Sequence, residues 1–310
     1  MTEVQRPMIS VVIPSYNQGP FLRECIDSVL SQDYRPIEIL VMDGASKDNT
    51  VEVLRSYADR PEVQWCSKPD KGIADAVNKG LARVRGEITT IQSSDDYYLP
   101  GAFTRAAREF SNFPDCGLVY GEVMGVTVKG EQQVISHRPP HENAMCIAMC
   151  MCIPQCSAFF LTRLGREVGG WREEFHTCDW DFWLRMMFRT RARKIDDVLS
   201  AWRMYPGQRT DQLARVYESF RRMLDTSPEV RDGGLRVRRA ALAAKQLIGV
   251  TFGPRQTSAG RFWSLARALA LFPELWPYIP NKPYLVPGYA QAARITRGVR
   301  RRIRSVRAHP

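Results

Sequence analysis

The first hundred residues alternate between two hydrophobic periods, and this alternation restricts the fold more than any other feature of the chain. Short β-branched runs that predict buried strands are separated by segments with apolar residues at helical spacing. This rhythm predicts a mainly parallel, doubly wound α/β sheet, Rossmann-like, with helices on both faces. The predicted strands are 9–13, 37–42, 63–66 and 87–91, and the predicted helices are 21–30, 51–57 and 73–84.

Polar side chains follow each predicted strand at the point where it ends. In an open α/β sheet, ligands bind outside the carboxyl ends of the strands, so these segments are expected to share one edge. Carboxylates in such number repel each other unless a cation or strong donors compensate. Asp95 and Asp96 offer the hard oxygen ligands that Mg²⁺ or Mn²⁺ prefers, so a divalent metal is predicted here. The four segments are 14–17, 43–48, 69–72 and 93–96.

The phosphate cradles of two large enzyme classes are missing from the sequence. The first strand–helix turn, residues 15–20, has one glycine where a dinucleotide-binding fingerprint needs three. No Gly-Lys-Ser/Thr follows any predicted strand, which disfavours a P-loop nucleotidase. A diphosphate bound at this edge would therefore be held by the metal.

The formal net charge of +11 belongs to the C-terminal quarter of the 310-residue chain. Residues 230–310 contain 16 Lys and Arg and 2 Asp and Glu, whereas residues 1–229 contain 28 and 31. The charge thus indicates an anionic partner for the C-terminal part only. A content of 44% hydrophobic and 25% charged residues excludes disordered, collagen-like and small disulfide-rich proteins.

Targeting and membrane-spanning segments are not evident in the sequence. Pro14 interrupts the apolar run 9–13, so no signal peptide is expected. No apolar stretch reaches the ~18 residues of a spanning helix. The eight cysteines are then expected to be reduced thiols. These features predict a cytoplasmic protein, either free or peripheral on the inner face of the membrane.

Four successive motifs resemble family 2 glycosyltransferases of the GT-A fold. They are SVVIPSYNQ (10–18), ILVMDGASKDNT (39–50), KPDKGIADAVNKG (68–80) and SDDYYLPG (94–101). The similarity continues through LVYG (118–121), PQ (154–155), GGW (169–171) and CDWDFWLR (178–185), and it covers about residues 8–210. We therefore predict a GT-A domain over 1–225 and a helical, basic extension over 226–310.

The resemblance implies a nucleotide-diphosphate sugar donor, most often linked to UDP, and inversion at the anomeric carbon. Matched position by position, Pro14 and Tyr16 would flank the base and Asp43 would hydrogen-bond the uracil edge. Asp70, together with Lys71, would contact the nucleoside.

The resemblance also implies how the metal is bound. Asp96 would ligate it, and Asp95 would either assist or bind the ribose and the sugar. Ser93 stands where the family often has asparagine, but both acids are retained. Metal binding is therefore expected in spite of this difference.

Inversion by direct displacement needs a general base on the acceptor side of the sugar. The family keeps this base in an acidic motif that corresponds to residues 178–185, where Cys178 replaces the common glutamate. Asp179 is then the candidate base, and Asp181 is the second candidate or a supporting residue. The alternative is that both aspartates cap a helix.

Residues 199–209 lie where members of the family close a loop over the donor. Arg203 or Arg209 is a candidate to neutralise the diphosphate, because a guanidinium binds phosphate in a bidentate manner. The alternative is an ordinary surface arginine. Three tryptophans are candidates either for stacking on a sugar ring or for the core: Trp171, Trp180 and Trp183.

A cluster of thiols precedes the acidic motif. Its spacing, C-x3-C-x-C-x3-C, matches no paired zinc knuckle, and interleaved methionines are typical of apolar packing. A buried patch of reduced thiols beneath the acceptor site is therefore favoured over zinc. The cluster consists of His141, Cys146, Cys150, Cys152 and Cys156.

The C-terminal residues combine three patterns. Apolar residues recur at helical spacing in 262–276, prolines and aromatics alternate in 273–289, and 294–307 holds seven arginines. Together they suit a helix lying on an anionic membrane surface. They equally suit a helix packed on the catalytic domain and followed by a cationic tail. No recognition module surrounds the arginines, so nucleic acid is not expected as a partner.

These observations favour an inverting, metal-dependent transferase that moves a hexosyl or N-acetylhexosaminyl group to a glycan or lipid-linked acceptor, as in polysaccharide biosynthesis. A second hypothesis is a non-catalytic protein that binds nucleotide sugars or glycans, in which Cys178 marks the loss of the acceptor site. A third is an adaptor built on the basic extension.

Overall fold

The structure, a computed structural model, describes residues 6–135, 142–150, 153–252 and 258–278. Strands and helices alternate through the first hundred residues, as the two hydrophobic periods predict. The strands are β1 Ile9–Ser15, β2 Ile37–Asp43, β3 Val63–Ser67, β4 Ile88–Ile91, β5 Tyr97–Tyr98, β6 Cys116–Thr127, β7 Gln132–Ile135, β8 Ala158–Leu161 and β9 Arg191–Met204. The helices are α1 Gly19–Leu30, α2 Thr50–Arg55, α3 Ile73–Arg83, α4 Ala102–Asn112, α5 Asn143–Ala148, α6 Thr162–Glu167, α7 Cys178–Met187, α8 Leu213–Thr226, α9 Pro228–Asp232, α10 Gly234–Phe252 and α11 Ser258–Leu271.

One mixed sheet organises these elements in the order β3-β2-β1-β4-β8-β6-β9-β5, with β7 beside β6. The N-terminal strands β1 to β4 are mutually parallel, which confirms the predicted fold class. Strand β8 runs antiparallel between β4 and β6, a feature that the sequence pattern did not predict. The carboxyl ends of β1 to β4 therefore meet at one edge of the sheet.

Two hydrophobic clusters cover the two faces of the sheet. Side chains of β1 alternate between them: Val12 packs with α3, whereas Val11 and Ile13 pack with α1 and α4. All seven residues of β1 are buried, because helices cover both faces. This burial explains why four of the five residues 9–13 are apolar, rather than every second one.

The C-terminal helices share a core with the sheet. Phe220 of α8, Leu247 of α10 and Phe272 belong to the same hydrophobic cluster as Phe182 of α7. Within the described residues, no helix combines the length and the apolar character that crossing a membrane requires. Residues 279–310, including the arginine-rich segment, lie outside the described residues.

Asn78 of α3 fixes the loop that leads into α7. Its Nδ2 donates to the Trp171 carbonyl at 2.7 Å, and its Oδ1 accepts from the Trp171 N–H at 2.8 Å. Gly170 beside them has φ +67°, and a Cβ there would lie 2.3 Å from Asn78 Oδ1. Glycine is therefore required for α3 and this loop to approach so closely.

Candidate functional site

The predicted strand-end segments lie side by side at the carboxyl edge. Gly44, which follows β2, separates Tyr16 from Asp70: a Cβ at Gly44 would lie 3.2 Å from Tyr16 Cδ2 and 2.7 Å from Asp70 Oδ2. The Tyr16 side chain is 59% exposed, while Pro14 at its base is buried. An exposed aromatic ring and a carboxylate thus lie on either side of a glycine at this edge.

Asp43 is buried at the end of β2, and its carboxylate is held by serines. Oδ2 accepts from the Ser46 N–H at 3.1 Å and from Ser67 Oγ at 2.6 Å, and Oδ1 accepts from Ser46 Oγ. No described lysine or arginine forms an ion pair with this carboxylate. Its orientation is therefore set by neutral donors, and its charge stays available to a ligand.

Asp70 and Lys71 lie in the turn before α3. Asp70 Oδ1 accepts from the Gly72 N–H at 2.9 Å, and the Lys71 N–H donates to Asp75 Oδ2 at 3.0 Å. Asp75 in turn pairs with Lys79 at 2.7 Å. The exposed Lys71 ammonium makes no ion pair with the described acids, so it is the cation of this turn that remains open to a ligand.

The predicted metal-binding turn, Asp95 and Asp96, lies beneath the end of β9. Asp96 is only 3% exposed, and its Oδ1 accepts from the Arg203 N–H at 2.9 Å. Asp95 is partly exposed, and its Oδ2 accepts from the Tyr205 hydroxyl at 2.7 Å. Burial, followed by the charge of Asp95, raises the pKa of Asp96 well above its usual range.

The donor atoms of this turn fit a divalent cation. Each of the two carboxylates keeps one oxygen that the described residues do not hydrogen-bond, and a cation would offset the repulsion between the two acids. No group of three or more His, Cys, Asp or Glu among those residues is arranged to hold a metal. A cation at Asp95 and Asp96 would thus take its other ligands from water and phosphate, as Mg²⁺ commonly does.

Ser93, which differs from the common asparagine, is part of the support of this turn. Its Oγ donates to Gln155 Oε1 at 3.1 Å, and Gln155 Nε2 donates to the Ile91 carbonyl. The Cys25 thiol donates to the Ser93 carbonyl at 3.5 Å. The serine is therefore accommodated by a glutamine that the sequence analysis gave no role.

Asp179 lies in the first turn of α7 and is partly exposed. Burial raises its pKa to about 6, while backbone N–H groups at the helix start and the charge of Arg209 act in the opposite direction. No side chain that the structure describes hydrogen-bonds or pairs with its carboxylate. An unpaired carboxylate that titrates near neutrality has the properties of a general base.

Asp181, the second candidate base, is part of a buried ion pair. Its Oδ2 accepts from Arg185 Nε at 2.9 Å and Nη2 at 2.6 Å, and Arg172 lies 3.4 Å from Oδ1. Arg185 also donates to the carbonyls of Val168 and Gly170, so it ties α7 to the preceding loop. We assign Asp181 a structural role, since both of its oxygens are engaged.

The tryptophans divide between two environments. Trp171 is 4% exposed and Trp183 is fully buried, so these two belong to the core rather than to a sugar-stacking surface. Trp180 is partly exposed, and its ring packs edge-on against Phe220 of α8 at 5.1 Å. It alone of the three stays a candidate for contact with an acceptor.

The two candidate arginines are already engaged by protein groups. The Arg203 guanidinium pairs with Glu24 and lies over the rings of Tyr97, at 5.0 Å, and Phe21, at 5.4 Å. Arg209 donates to the His176 carbonyl at 2.6 Å, on the same side of the molecule as Asp179. Arg203 thus has a counterion, whereas the charge of Arg209 acts on the candidate base.

The described cysteines of the cysteine-rich segment have different bonding partners. Cys146 is disulfide-bonded, so the expectation of eight reduced thiols is wrong at this position. The Cys150 thiol donates to the Ala244 carbonyl of α10. Cys156 instead lies beside Ser200, and its pKa is raised first by burial and then by the charge of Asp96. His141 and Cys152 lie outside the described residues.

Comparison with known proteins identifies both a sequence family and a fold. Residues 10–164 match the family model described as "Glycosyl transferase family 2". Chondroitin synthase of Pasteurella multocida strain Pm70 is 29% identical over 182 residues, which are 58% of this chain and 19% of the relative. The hyaluronan synthase of Pasteurella multocida gives the same values. The chain therefore spans about a fifth of the length of these two relatives.

Solved structures with the same fold include two complexes. The mannosyltransferase PcManGT from Pyrobaculum calidifontis, with GDP-Man and Mn²⁺, superposes with a TM-score of 0.63 at 20% identity, covering 96% of this chain and 80% of that one. S. aureus TarS 1-349 with UDP-GlcNAc superposes with a TM-score of 0.60 at 16% identity, covering 87% and 92%. The GT-A type of sheet is thus shared with both.

Proposed function

The chain belongs to glycosyl transferase family 2, and from this premise we propose that it is an inverting, metal-assisted glycosyltransferase. The donor would be a nucleotide-diphosphate sugar of the UDP type that carries a hexosyl or N-acetylhexosaminyl group. The acceptor would be a hydroxyl of a glycan or of a lipid-linked glycan. The observation that carries the proposal is Asp179, whose carboxylate pairs with no described side chain and whose pKa is raised to about 6, in the same chain as the Asp95–Asp96 turn.

The donor end of the site would bind the nucleoside between Tyr16 and Asp70. The Asp43 carboxylate already accepts three hydrogen bonds from serines, so it can accept one more. The Watson–Crick edge of uracil offers one N–H donor, which matches this remaining site. Lys71 brings to the same edge an ammonium that makes no ion pair with the described acids. These features support a pyrimidine nucleotide as the carrier of the sugar.

Asp95 and Asp96 would hold Mn²⁺ or Mg²⁺ through their remaining oxygens. When bound, the cation would supply the positive charge that stabilises the departing diphosphate. The backbone N–H of Arg203 fixes the Asp96 carboxylate, so the fold orients this proposed ligand before a cation binds.

Asp179 would remove the proton from the attacking hydroxyl. The acceptor oxygen forms a bond to the anomeric carbon as the bond to the diphosphate oxygen breaks on the opposite face, and the proton goes to a carboxylate oxygen of Asp179. One displacement of this kind inverts the configuration. The raised pKa makes the carboxylate a better proton acceptor than an ordinary aspartate and leaves it ionised at neutral pH.

The non-catalytic alternative rests on Cys178, which replaces the glutamate that is common in the family. This thiol is buried, and its pKa is raised to about 12 by burial, so it lies away from the solvent-exposed side of α7. The neighbouring Asp179 keeps its open carboxylate. The replacement therefore leaves the proposed base in place, and the enzymatic function is favoured.

The outer faces of α10 and α11 support an acceptor at an anionic membrane surface. On α10, Leu235, Arg238, Arg239 and Leu242 follow the i, i+3, i+4, i+7 spacing of one helix face, and all four are exposed. On α11, Phe262 and Trp263 are 64% and 61% exposed. Neither helix contains an acidic residue. Arg238 and Arg239 make no ion pair with the described acids. Apolar side chains beside such arginines are typical of helices that lie on anionic lipid.

We expect the full chain to sediment with vesicles that contain anionic phospholipid. Exchanging both Phe262 and Trp263 for serine should weaken this binding at least about ten-fold, because each buried aromatic contributes roughly 1.5–3 kcal/mol. The matched control exchanges Val128 and Val134, which are exposed on the β6–β7 hairpin, for serine. Equal loss in both double variants, or equal binding to neutral vesicles, would contradict a lipid-binding role for α11.

A donor screen tests the function directly. Nucleotide sugars are added singly, with Mn²⁺, with Mg²⁺ and with chelator, and the thermal unfolding midpoint and product formation are measured. A UDP-sugar should raise the midpoint only when metal is present, because ligand binding stabilises the native state by mass action. Stabilisation by UDP-sugars without turnover on any glycan or lipid-linked acceptor would favour the binding-protein alternative. No stabilisation by any nucleotide sugar would overturn the proposal.

A further inference from the structure

The segment after β9 passes over the proposed metal site and contacts both of its aspartates. The Arg203 N–H donates to Asp96, and two residues later the Tyr205 hydroxyl donates to Asp95 Oδ2 at 2.7 Å. Within the described residues, this hydroxyl is the only group that hydrogen-bonds the Asp95 side chain. The orientation of the more exposed of the two carboxylates therefore depends on one tyrosine that lies 110 positions further along the chain.

Tyr205 is itself held from three sides. Its ring stacks on Phe21 with the centroids 5.1 Å apart, and Gln18 Nε2 lies 3.4 Å from its hydroxyl. Its N–H donates to Gln208 Oε1 at 3.1 Å, while Gln208 Nε2 donates to the Arg203 carbonyl at 2.7 Å. The hydroxyl is thus placed by packing and by a glutamine clamp, and it does not depend on Asp95 for its position.

Packing alone does not account for a tyrosine here. A phenylalanine would stack on Phe21 equally well, whereas the hydroxyl adds a neutral donor to a carboxylate that faces a second carboxylate. A lysine or arginine in its place would compete with a bound cation for Asp95, but a neutral hydroxyl does not. A tyrosine hydroxyl ordinarily has a pKa of about 10, so it keeps its proton at neutral pH and remains a donor.

We propose that Tyr205 is a positioning residue for the metal site: it fixes Asp95 Oδ2 and so directs Oδ1 to a divalent cation bound with the nucleotide diphosphate. The inference rests on the proposed function, since it assumes a metal at Asp95 and Asp96. It adds a residue that acts through Asp95 and that touches neither the sugar nor the acceptor. Partners that orient metal ligands in this way are commonly worth about 10- to 100-fold in metal affinity.

The test measures Mn²⁺ binding by electron paramagnetic resonance in the presence of UDP, with no acceptor and no turnover. Tyr205→Phe keeps the ring stack and should weaken Mn²⁺ binding about ten-fold or more. The thermal unfolding midpoint without metal should match that of the wild-type chain. Tyr217→Phe is the matched control, because its hydroxyl accepts from Arg221 on α8, outside the site, and it should bind Mn²⁺ as the wild type does.

A double-mutant cycle shows whether Tyr205 acts through Asp95. In the Asp95→Ala background, Tyr205→Phe should cause no further loss of Mn²⁺ affinity, since the hydroxyl has no carboxylate left to orient. Unchanged or tighter Mn²⁺ binding by Tyr205→Phe, an equal loss in Tyr217→Phe, or a full further loss in the Asp95→Ala background would each overturn the proposal. Failure of the wild-type chain to bind Mn²⁺ with UDP would instead overturn the metal site of the proposed function, and this inference with it.

Discussion

Exchange of Asp96 for alanine is expected to lower the rate of sugar transfer by about 10³-fold or more, because the charge that stabilises the departing diphosphate is lost with its main ligand. Binding of UDP should lose its dependence on Mn²⁺ in the same variant. Weak, metal-independent UDP binding should remain, since Tyr16, Asp43 and Asp70 are proposed to contact the other end of the nucleotide. Calorimetry with and without Mn²⁺, combined with a product assay, measures both effects.

Two comparisons separate this effect from misfolding. Asp96→Asn keeps the acceptor for the Arg203 N–H, and since burial raises the pKa of Asp96, a neutral side chain is expected to be tolerated by the fold. Asp59→Ala removes an exposed aspartate beyond α2 and should leave transfer unchanged. If Asp96→Asn retains metal-dependent UDP binding and wild-type transfer, the metal does not bind at Asp96.

Asp179→Asn should reduce transfer by about 10³-fold, within the range that general bases contribute, while UDP and Mn²⁺ binding stay within about two-fold of the wild type. The raised pKa means that the fold disfavours the ionised carboxylate, so the asparagine variant should unfold at the same temperature as the wild type or higher. Asp181→Asn provides the contrast: it breaks the buried pair with Arg185 and should lower the unfolding temperature. Normal transfer by Asp179→Asn would show that another group takes the proton.

The same assignment fixes the direction of the pH dependence. The base must be deprotonated, and its pKa is raised to about 6, so kcat/KM should be flat above neutrality and should fall as the pH drops through about 6. An ordinary aspartate would move this fall to about pH 4. Rates measured from pH 4 to 8 at saturating metal distinguish the two, provided that UDP binding is followed in parallel.

The sequence predicted the half of the site that depends on strand ends. Parallel strands bring their carboxyl ends to one edge, so Asp43, Asp70 and Asp96 were placed together without any knowledge of contacts. The antiparallel strand β8 was not predicted, because a run of four apolar residues carries no information on strand direction. Strand order beyond β4 therefore depended on tertiary packing that the pattern does not encode.

The residues proposed to act on the acceptor side of the site were predicted less completely. Asp181 and Arg185 are four residues apart in a helical segment, a spacing typical of an ion pair, and this signal, which the prediction did not use, could have indicated a structural role for Asp181. No comparable signal existed for Tyr205, because its partner Asp95 lies in another part of the chain and the segment between β9 and α8 has no periodicity. The roles of Trp171 and Trp183 depended on burial, which aromatic content alone does not determine.

The two hydrogen bonds between Asn78 and Trp171 have a consequence for turnover. Helix α3 begins just after Asp70 and Lys71, and the loop that Asn78 holds leads into Asp179, so these hydrogen bonds connect the proposed nucleotide-binding turn to the proposed base in one frame. A clamshell-like opening between these two elements would break that frame. We therefore expect the turn at Asp70 and the start of α7 to keep their mutual distance through a catalytic cycle.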